Sequence, residues 1–267
     1  MVRHIYIVLL LSLLVFVGCQ WQTSTTEEQK NESGMTIERY DRMESLYLTM
    51  ADIAALHQMK TDYPLQTRTL IEDVLQLGPV NAPDINIRLL NFFQDSTLQV
   101  LIKDVGLQFE QMDDVNAQLN QAFGRLKKMM PDMQIPKVYA QIGSLDQSIV
   151  VTDGHLGISL DKYLGADYPF YVHYGYSEKQ RAMMTRDYIV PDCLGFYLLS
   201  LNPLPEKADT AGLQRRWHMA KIQTVVNQAM GRKIFSNEHI DQLEKYWRKH
   251  RGLSTADFLL LDSISLK

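Results

Sequence analysis

The sequence lacks the residue patterns that support the commonest kinds of enzyme chemistry. It has seven histidines, and no two stand three or four residues apart, so no helix offers the paired imidazoles of a His-Glu-x-x-His zinc site. Neither a glycine-rich phosphate loop nor the Gly-x-Ser-x-Gly of serine hydrolases occurs. Cysteine is scarce too, and Cys193 lies among apolar neighbours, as a buried thiol would. We therefore expect no catalytic residue, no bound metal and no cofactor.

Clustered positive charge is also missing. The formal net charge is -4, and the densest basic stretch, residues 248–251, stands at the end of a predicted helix. Cations there offset the negative end of the helix dipole. Because nucleic-acid binding needs a basic surface patch, we expect no nucleic-acid partner.

An apolar leader precedes Cys19. The run Ile5–Val17 follows a short positively charged start and is followed by Gly18. This is the layout of a bacterial secretory signal, and the run is shorter than a membrane span requires. The junction Phe16-Val17-Gly18-Cys19 resembles a lipobox, at which a signal peptidase cuts before a lipid-modified cysteine. We predict a signal peptide over residues 1–18 and lipidation of Cys19.

Residues 19–34 are rich in Gln, Thr, Ser and Glu, which predicts a flexible tether. Gln20 stands where many lipoproteins of the inner membrane carry Asp, and the first acids, Glu27 and Glu28, come late for a surface-export signal. We therefore expect an outer-membrane protein that faces the periplasm, with the membrane as a partner through the lipid anchor.

Residues 35–267 predict a single α+β domain, mostly helical with a small antiparallel sheet in mid-chain. Extended apolar runs occupy 135–142, 148–151 and 156–160. The last two are separated by Asp153-Gly154, a dipeptide typical of tight hairpin turns. Helices before and after this region give the order helix, sheet, helix.

Helical spacing of apolar residues begins at Thr36 and recurs over 109–130 and 213–230. A further helix is predicted from Ser177 to about Ser200. Pro191 lies inside it and should kink it, because proline removes a backbone hydrogen bond.

An aromatic segment lies between the sheet and this helix. Aromatic side chains in a segment bounded by Pro and Gly suit a binding surface, because tyrosine combines apolar area with a polar tip. Packing of the segment against the sheet explains the composition equally well. The candidate interaction surface comprises Tyr168, Tyr171, His173, Tyr174 and Tyr176.

Three stretches of the chain resemble the GldB family, the gliding-motility-associated lipoproteins of Bacteroidetes. They are Ile135-Pro136-Lys137-Val138-Tyr139, the run Leu156–Gly165 with Asp167-Tyr168, and Tyr188-Ile189-Val190-Pro191-Asp192. The resemblance implies an envelope lipoprotein associated with gliding or with the linked type IX secretion machinery.

Proteins of this type are similar in layout to zincin-like peptidases, in which a small sheet precedes a helix that carries the zinc motif. The corresponding helix here contains no histidine, and Tyr188 and Asp192 are its nearest polar pair at i,i+4 spacing. The resemblance therefore implies a vestigial groove lined by Tyr188 and Asp192, without metal.

The function expected from the sequence is that of a non-catalytic accessory or scaffold lipoprotein, whose partners are other envelope proteins. Two alternatives stay open. One is a zincin-like peptidase or hydrolase with an unrecognised site, and the other is a lipoprotein that binds glycans or peptides through the tyrosine segment.

Overall fold

The computed structural model describes residues 34–204 and 212–261. The predicted signal peptide, the predicted lipidation site Cys19 and the predicted tether up to residue 33 lie outside the described residues. The strands are β1 (Ile37–Glu38), β2 (Lys137–Gln141), β3 (Ile149–Thr152) and β4 (His155–Ser159). The α-helices are α1 (Tyr40–Met50), α2 (Ile53–Thr61), α3 (Pro64–Arg68), α4 (Ile85–Phe92), α5 (Ser96–Gln108), α6 (Asp113–Met129), α7 (Pro169–His173), α8 (Glu178–Arg181), α9 (Ile189–Leu201), α10 (Leu213–Met230), α11 (Glu238–Lys249) and α12 (Thr255–Leu260).

Three shorter helical segments lie between these elements. A π-helical turn, Thr69–Val74, continues α3, and 3₁₀ turns occupy Leu160–Lys162 and Arg186–Tyr188. The fold is mostly helical with one small sheet, so the predicted α+β class is confirmed.

The sheet is mixed, and the prediction of an antiparallel sheet was wrong. The strand order is β1-β2-β4-β3; β1 and β4 run parallel to β2, and β3 alone runs antiparallel to its neighbour β4. The hairpin signal is local and identifies only the β3–β4 pair. β2 pairs with β4 because β3 lies at the outer edge of the sheet. No local sequence pattern predicts that position.

The predicted hairpin itself is confirmed. Asp153 and Gly154 connect β3 to β4 and both have positive φ, 41° and 73°. This is the backbone of a two-residue turn whose twist matches that of the paired strands.

The segment before α1 is extended, although its apolar spacing predicted helix from Thr36. Two asparagines on α6 hold it in place. Asn120 accepts from the Met35 amide at 2.8 Å and donates to the Met35 carbonyl at 2.7 Å. Asn116 accepts from the Ile37 amide at 3.1 Å. These bonds satisfy the backbone of 35–37 as a neighbouring strand would, so tertiary contacts override helical periodicity.

The predicted helix 177–200 is divided into α8, a 3₁₀ turn and α9. Pro191 is the third residue of α9, where an amide hydrogen would have no partner within the helix. The predicted kink was therefore wrong, because the proline lies in the first turn of a helix and not in its interior.

Two helices pack against the sheet. α1 packs against β2, and α9 packs against β3 and β4. The side chains that fill these contacts include Tyr40, Tyr139, Ile158 and Leu194, all fully buried.

Candidate functional site

A pocket of about 260 Å³ opens between the end of the sheet and the start of α9. Its walls come from four parts of the chain: the residue before β3, the 3₁₀ turn after β4, the segment around α8, and α9. The lining residues are Ser148, Lys162, Tyr163, Tyr176, Gln180, Met183, Met184, Asp192 and Phe196. We call this cavity the Asp192 pocket.

Asp192 supplies the carboxyl group of the pocket from the first turn of α9. Its Oδ2 accepts a hydrogen bond from the Tyr163 hydroxyl at 2.8 Å. Burial raises the pKa of Asp192 from 3.8 to about 7, and the bond from Tyr163 acts in the opposite direction. Within the described part of the chain no side chain donates to Oδ1, so one carboxyl oxygen remains available to a ligand.

Lys162 and Tyr176 form a second wall. The Lys162 ammonium donates to the Tyr176 hydroxyl at 2.9 Å and to the Leu145 carbonyl at 3.1 Å. It also lies 4.5 Å from the centre of the Tyr176 ring, a cation–π distance. Both contacts hold the Lys162 ammonium within the wall, and Asp192 supplies the carboxyl acceptor of the pocket.

A buried carboxylate fixes the loop beside this wall. Asp161 is fully buried, and its two oxygens accept from the amides of Gly143, at 2.6 Å, and Leu145, at 2.5 Å. Burial raises the pKa of Asp161, while the two amide bonds favour its ionised form. This pairing holds residues 143–145 next to the 3₁₀ turn that carries Lys162.

The tyrosines of the predicted interaction surface do not share one environment. Tyr171 is fully buried; its hydroxyl donates to the Asp161 carbonyl at 2.5 Å and accepts from the Leu164 amide at 2.9 Å. Tyr168 is half-buried and donates to Asp104 at 2.9 Å. These two side chains pack the segment onto the domain.

The outer members of the segment face solvent. Tyr174 is 55% exposed, and its ring meets that of the exposed His173 at 5.2 Å. Tyr176 belongs to the pocket wall. The structure therefore divides the five residues into packing, pocket-lining and solvent-facing groups.

The predicted groove pair, Tyr188 and Asp192, does not line one groove. Asp192 lines the pocket, and Tyr188 lies outside it, with its ring 6.2 Å from that of Phe235. One turn of helix separates them, and the side chains meet different neighbours.

Sequence reasoning missed most of the pocket. Lys162 and Tyr163 lie inside the stretch 156–165 that carries the family resemblance, and that is the one signal that could have identified them. Ser148, Met183 and Phe196 carry no pattern of their own. Only the folding of four segments onto one another brings them together.

Sequence reasoning also missed Glu44, which is fully buried between α1 and the sheet. Its Oε2 accepts from the Ile142 amide at 2.8 Å, and burial raises the pKa of the carboxyl well above its usual range. Tyr139 on the adjacent strand is buried as well, and its pKa is raised by burial and by the charge of Glu44. Among the described residues, neither Glu44 Oε1 nor the Tyr139 hydroxyl has a hydrogen-bond partner.

Histidine, cysteine and carboxylate side chains are the usual protein ligands of metal ions. Among those the structure describes, no three His, Cys, Asp or Glu side chains form a set that could hold a metal ion. Cys193, next to Asp192, is fully buried, and burial raises the pKa of its thiol above the usual range.

Comparison with protein families assigns the chain. Residues 20–236 match the model of a family described as gliding motility protein GldB. The chain belongs to the GldB family. Its association with gliding motility and its character as a lipoprotein follow from that membership at the level of the family.

The other comparisons are negative. No curated protein and no solved structure matches this GldB-family chain. In the parts that the structure describes, no helix combines the length and the apolar character that crossing a membrane requires.

Proposed function

We propose that this GldB-family chain is an outer-membrane lipoprotein, anchored through Cys19 and facing the periplasm, that serves gliding or type IX secretion machinery through protein contacts and without catalysis. The observation that carries the proposal is the family match, which begins at residue 20, directly after the lipobox cysteine. A lipid on Cys19 would hold the domain at the membrane, where its partners would be other envelope proteins.

The absence of catalysis is part of the proposal. The helix that packs on β3 and β4, α9, presents Asp192 to the pocket and contains no histidine. Hydrolysis by a bound zinc ion needs three protein ligands on the metal and one open coordination position. Among the described residues, Asp192 is the one carboxyl that lines the pocket.

The anchor is tested by mass spectrometry of the protein extracted from membranes. The N-terminal peptide should carry a diacylglyceryl group on Cys19, and a Cys19→Ala variant should not be acylated. Cys193→Ala is the matched control and should remain acylated. An unmodified Cys19 in the mature wild-type protein would overturn the anchoring proposal.

The role in the machinery is tested by complementation of a strain that lacks the gene. Wild-type protein should restore gliding or type IX secretion, and Cys19→Ala should restore neither. Cross-linking in intact envelopes should join the wild-type protein to one or more envelope proteins. If the deletion strain glides and secretes normally, the proposed role is wrong.

One observation favours an enzyme instead. A carboxyl with a pKa of about 7 beside a tyrosine hydroxyl, in a pocket, makes Asp192 a candidate general acid or base. If Asp192 acts in this way, Asp192→Asn should abolish complementation while fold, acylation and cross-linking stay intact. The purified wild-type protein should then hydrolyse a peptide or ester substrate that the variant leaves unchanged.

A further inference from the structure

We infer that the Asp192 pocket binds a single cationic side chain, lysine or arginine, presented by a partner protein. This inference deepens the proposed function, on which the identity of the partner as an envelope protein rests. The binding chemistry itself depends on the pocket alone.

The hydrogen-bonding groups of the pocket leave an acceptor unfilled. Tyr163 donates to Asp192 Oδ2, and Lys162 is satisfied by Tyr176 and the Leu145 carbonyl. Asp192 Oδ1 has no donor among the described residues. A group that completes this arrangement must donate hydrogen bonds, and a cation gains more than a neutral donor because the acceptor is a carboxylate.

The mouth of the pocket suits an aliphatic stem. Met183 and Phe196 line the pocket and are 38% and 42% exposed, respectively, so part of its apolar lining is open to solvent. Lysine and arginine bury their methylene stems along such surfaces while the charged end reaches a polar partner. An aromatic ring such as that of Phe196 also attracts a cation.

The size of the pocket favours one side chain over a larger ligand. Sites for small molecules and cofactors typically enclose about 300–1,000 Å³. The Asp192 pocket, at about 260 Å³, is below that range. The pocket therefore has room for a lysine or arginine side chain and less room than a typical small-molecule site.

The inference makes binding depend on pH. With a pKa of about 7, Asp192 is about 91% ionised at pH 8 and about 9% ionised at pH 6, so affinity for a cation should fall about tenfold. The other titratable groups at the pocket are Lys162, Tyr163 and Tyr176, and the Cys193 thiol adjoins it in α9. Burial raises the pKa values of Tyr163 and Cys193 above their usual values, which are already higher than this pH interval.

The test uses full-length protein in mild detergent with ¹³C-labelled methionine methyl groups, observed by NMR. The methyl resonances of Met183 and Met184 should shift on titration with Nα-acetyl-lysine methylamide at pH 8. The norleucine analogue, which has the stem without the ammonium group, should bind at least tenfold more weakly. Resonances are assigned with Met183→Leu and Met184→Leu.

Asp192→Asn should abolish the lysine-specific shift, because asparagine keeps the shape of the side chain and removes its charge. Asp187→Asn is the matched control, since Asp187 is exposed, lies outside the pocket and undergoes the same change of charge. Equal binding of the lysine and norleucine probes, or undiminished binding by Asp192→Asn, would overturn the inference. So would the absence of any saturable shift. None of these results depends on acylation or on complementation, so failure of the proposed function would be seen separately.

Discussion

The Tyr163 hydroxyl donates a 2.8 Å hydrogen bond to Asp192 and so connects the turn after the sheet to the first turn of α9. Tyr163 is buried, and Asp192 is the carboxyl that faces the cavity beside it. The bond joins two of the stretches that carry the family resemblance, residues 156–165 and 188–192. The resemblance and the pocket therefore concern the same part of the fold.

The first prediction is that Tyr163→Phe raises the pKa of Asp192 above its wild-type value of about 7. The hydroxyl stabilises the ionised carboxylate, and its removal leaves the desolvation of Asp192 uncompensated. A ¹³C NMR titration of the Asp192 carboxyl measures the change. Tyr188→Phe is the control, because Tyr188 lies on the preceding turn and packs toward Phe235. An unchanged or lower pKa in Tyr163→Phe would show that the hydroxyl does not stabilise the charge.

The second prediction is that Asp192→Asn stabilises the protein increasingly as the pH rises. The pKa of Asp192 in the folded state is raised above 3.8, so folding favours the neutral carboxyl. Burial of Asp192 therefore costs no folding stability below about pH 4. The cost grows as the pH rises to about 7 and levels off above it. The advantage of the variant should therefore grow by about 2–3 kcal/mol between pH 5 and pH 8, measured as the free energy of unfolding in urea. The Asp187→Asn control should show no such growth, and a parallel pH profile for wild type and Asp192→Asn would contradict the prediction.

The contrast between Tyr188 and Asp192 shows what the sequence could and could not predict about the site. Their i,i+4 spacing places the two residues about one turn apart along the chain, because the helical repeat is local. It could not predict that the 3₁₀ turn ends at Tyr188, or that this residue turns toward Phe235 while Asp192 faces the pocket. Those outcomes depend on the docking of segments distant in the chain.

The same division applies to the fold. Asp153-Gly154 predicted the hairpin, and the helical spacing of apolar residues over 213–230 predicted α10. Both signals are local, because each lies within the element that it predicts. The parallel pairing of β2 with β4 was not predictable in this way. The strand at Ile37 was not predictable either. Its backbone is held by Asn116, which accepts from the Ile37 amide, and by Asn120, which accepts from the Met35 amide, and these partners are 79 and 85 residues apart in sequence.

The third prediction concerns the buried carboxylate that fixes the pocket loop. In Asp161→Asn one of the two oxygens becomes an amide nitrogen, which cannot accept from a backbone N–H. Either the Gly143 or the Leu145 amide then loses its partner, and a buried unsatisfied amide costs about 1–3 kcal/mol. Removing the charge offsets part of this cost, because burial raises the pKa of Asp161, so urea unfolding should show a loss no larger than that. The exposed Asp146 provides the control, because Asp146→Asn removes the same charge beside the loop and should leave stability nearly unchanged.

The fourth prediction follows from the packing of Tyr139 across β4. Gly157 pairs with Tyr139 in the sheet, and a Cβ at Gly157 would lie 2.5 Å from the Tyr139 ring, which is itself fully buried. Because the ring has no space to move, Gly157→Ala should destabilise the protein by about 1–3 kcal/mol or more. Gly106→Ala is the matched control: a Cβ there meets nothing within 4 Å, and alanine favours the helix α5, so stability should rise by about 0.5–1 kcal/mol. Thermal and urea unfolding of the two variants should change in opposite directions, and a neutral Gly157→Ala would mean that Tyr139 has room to move away from β4.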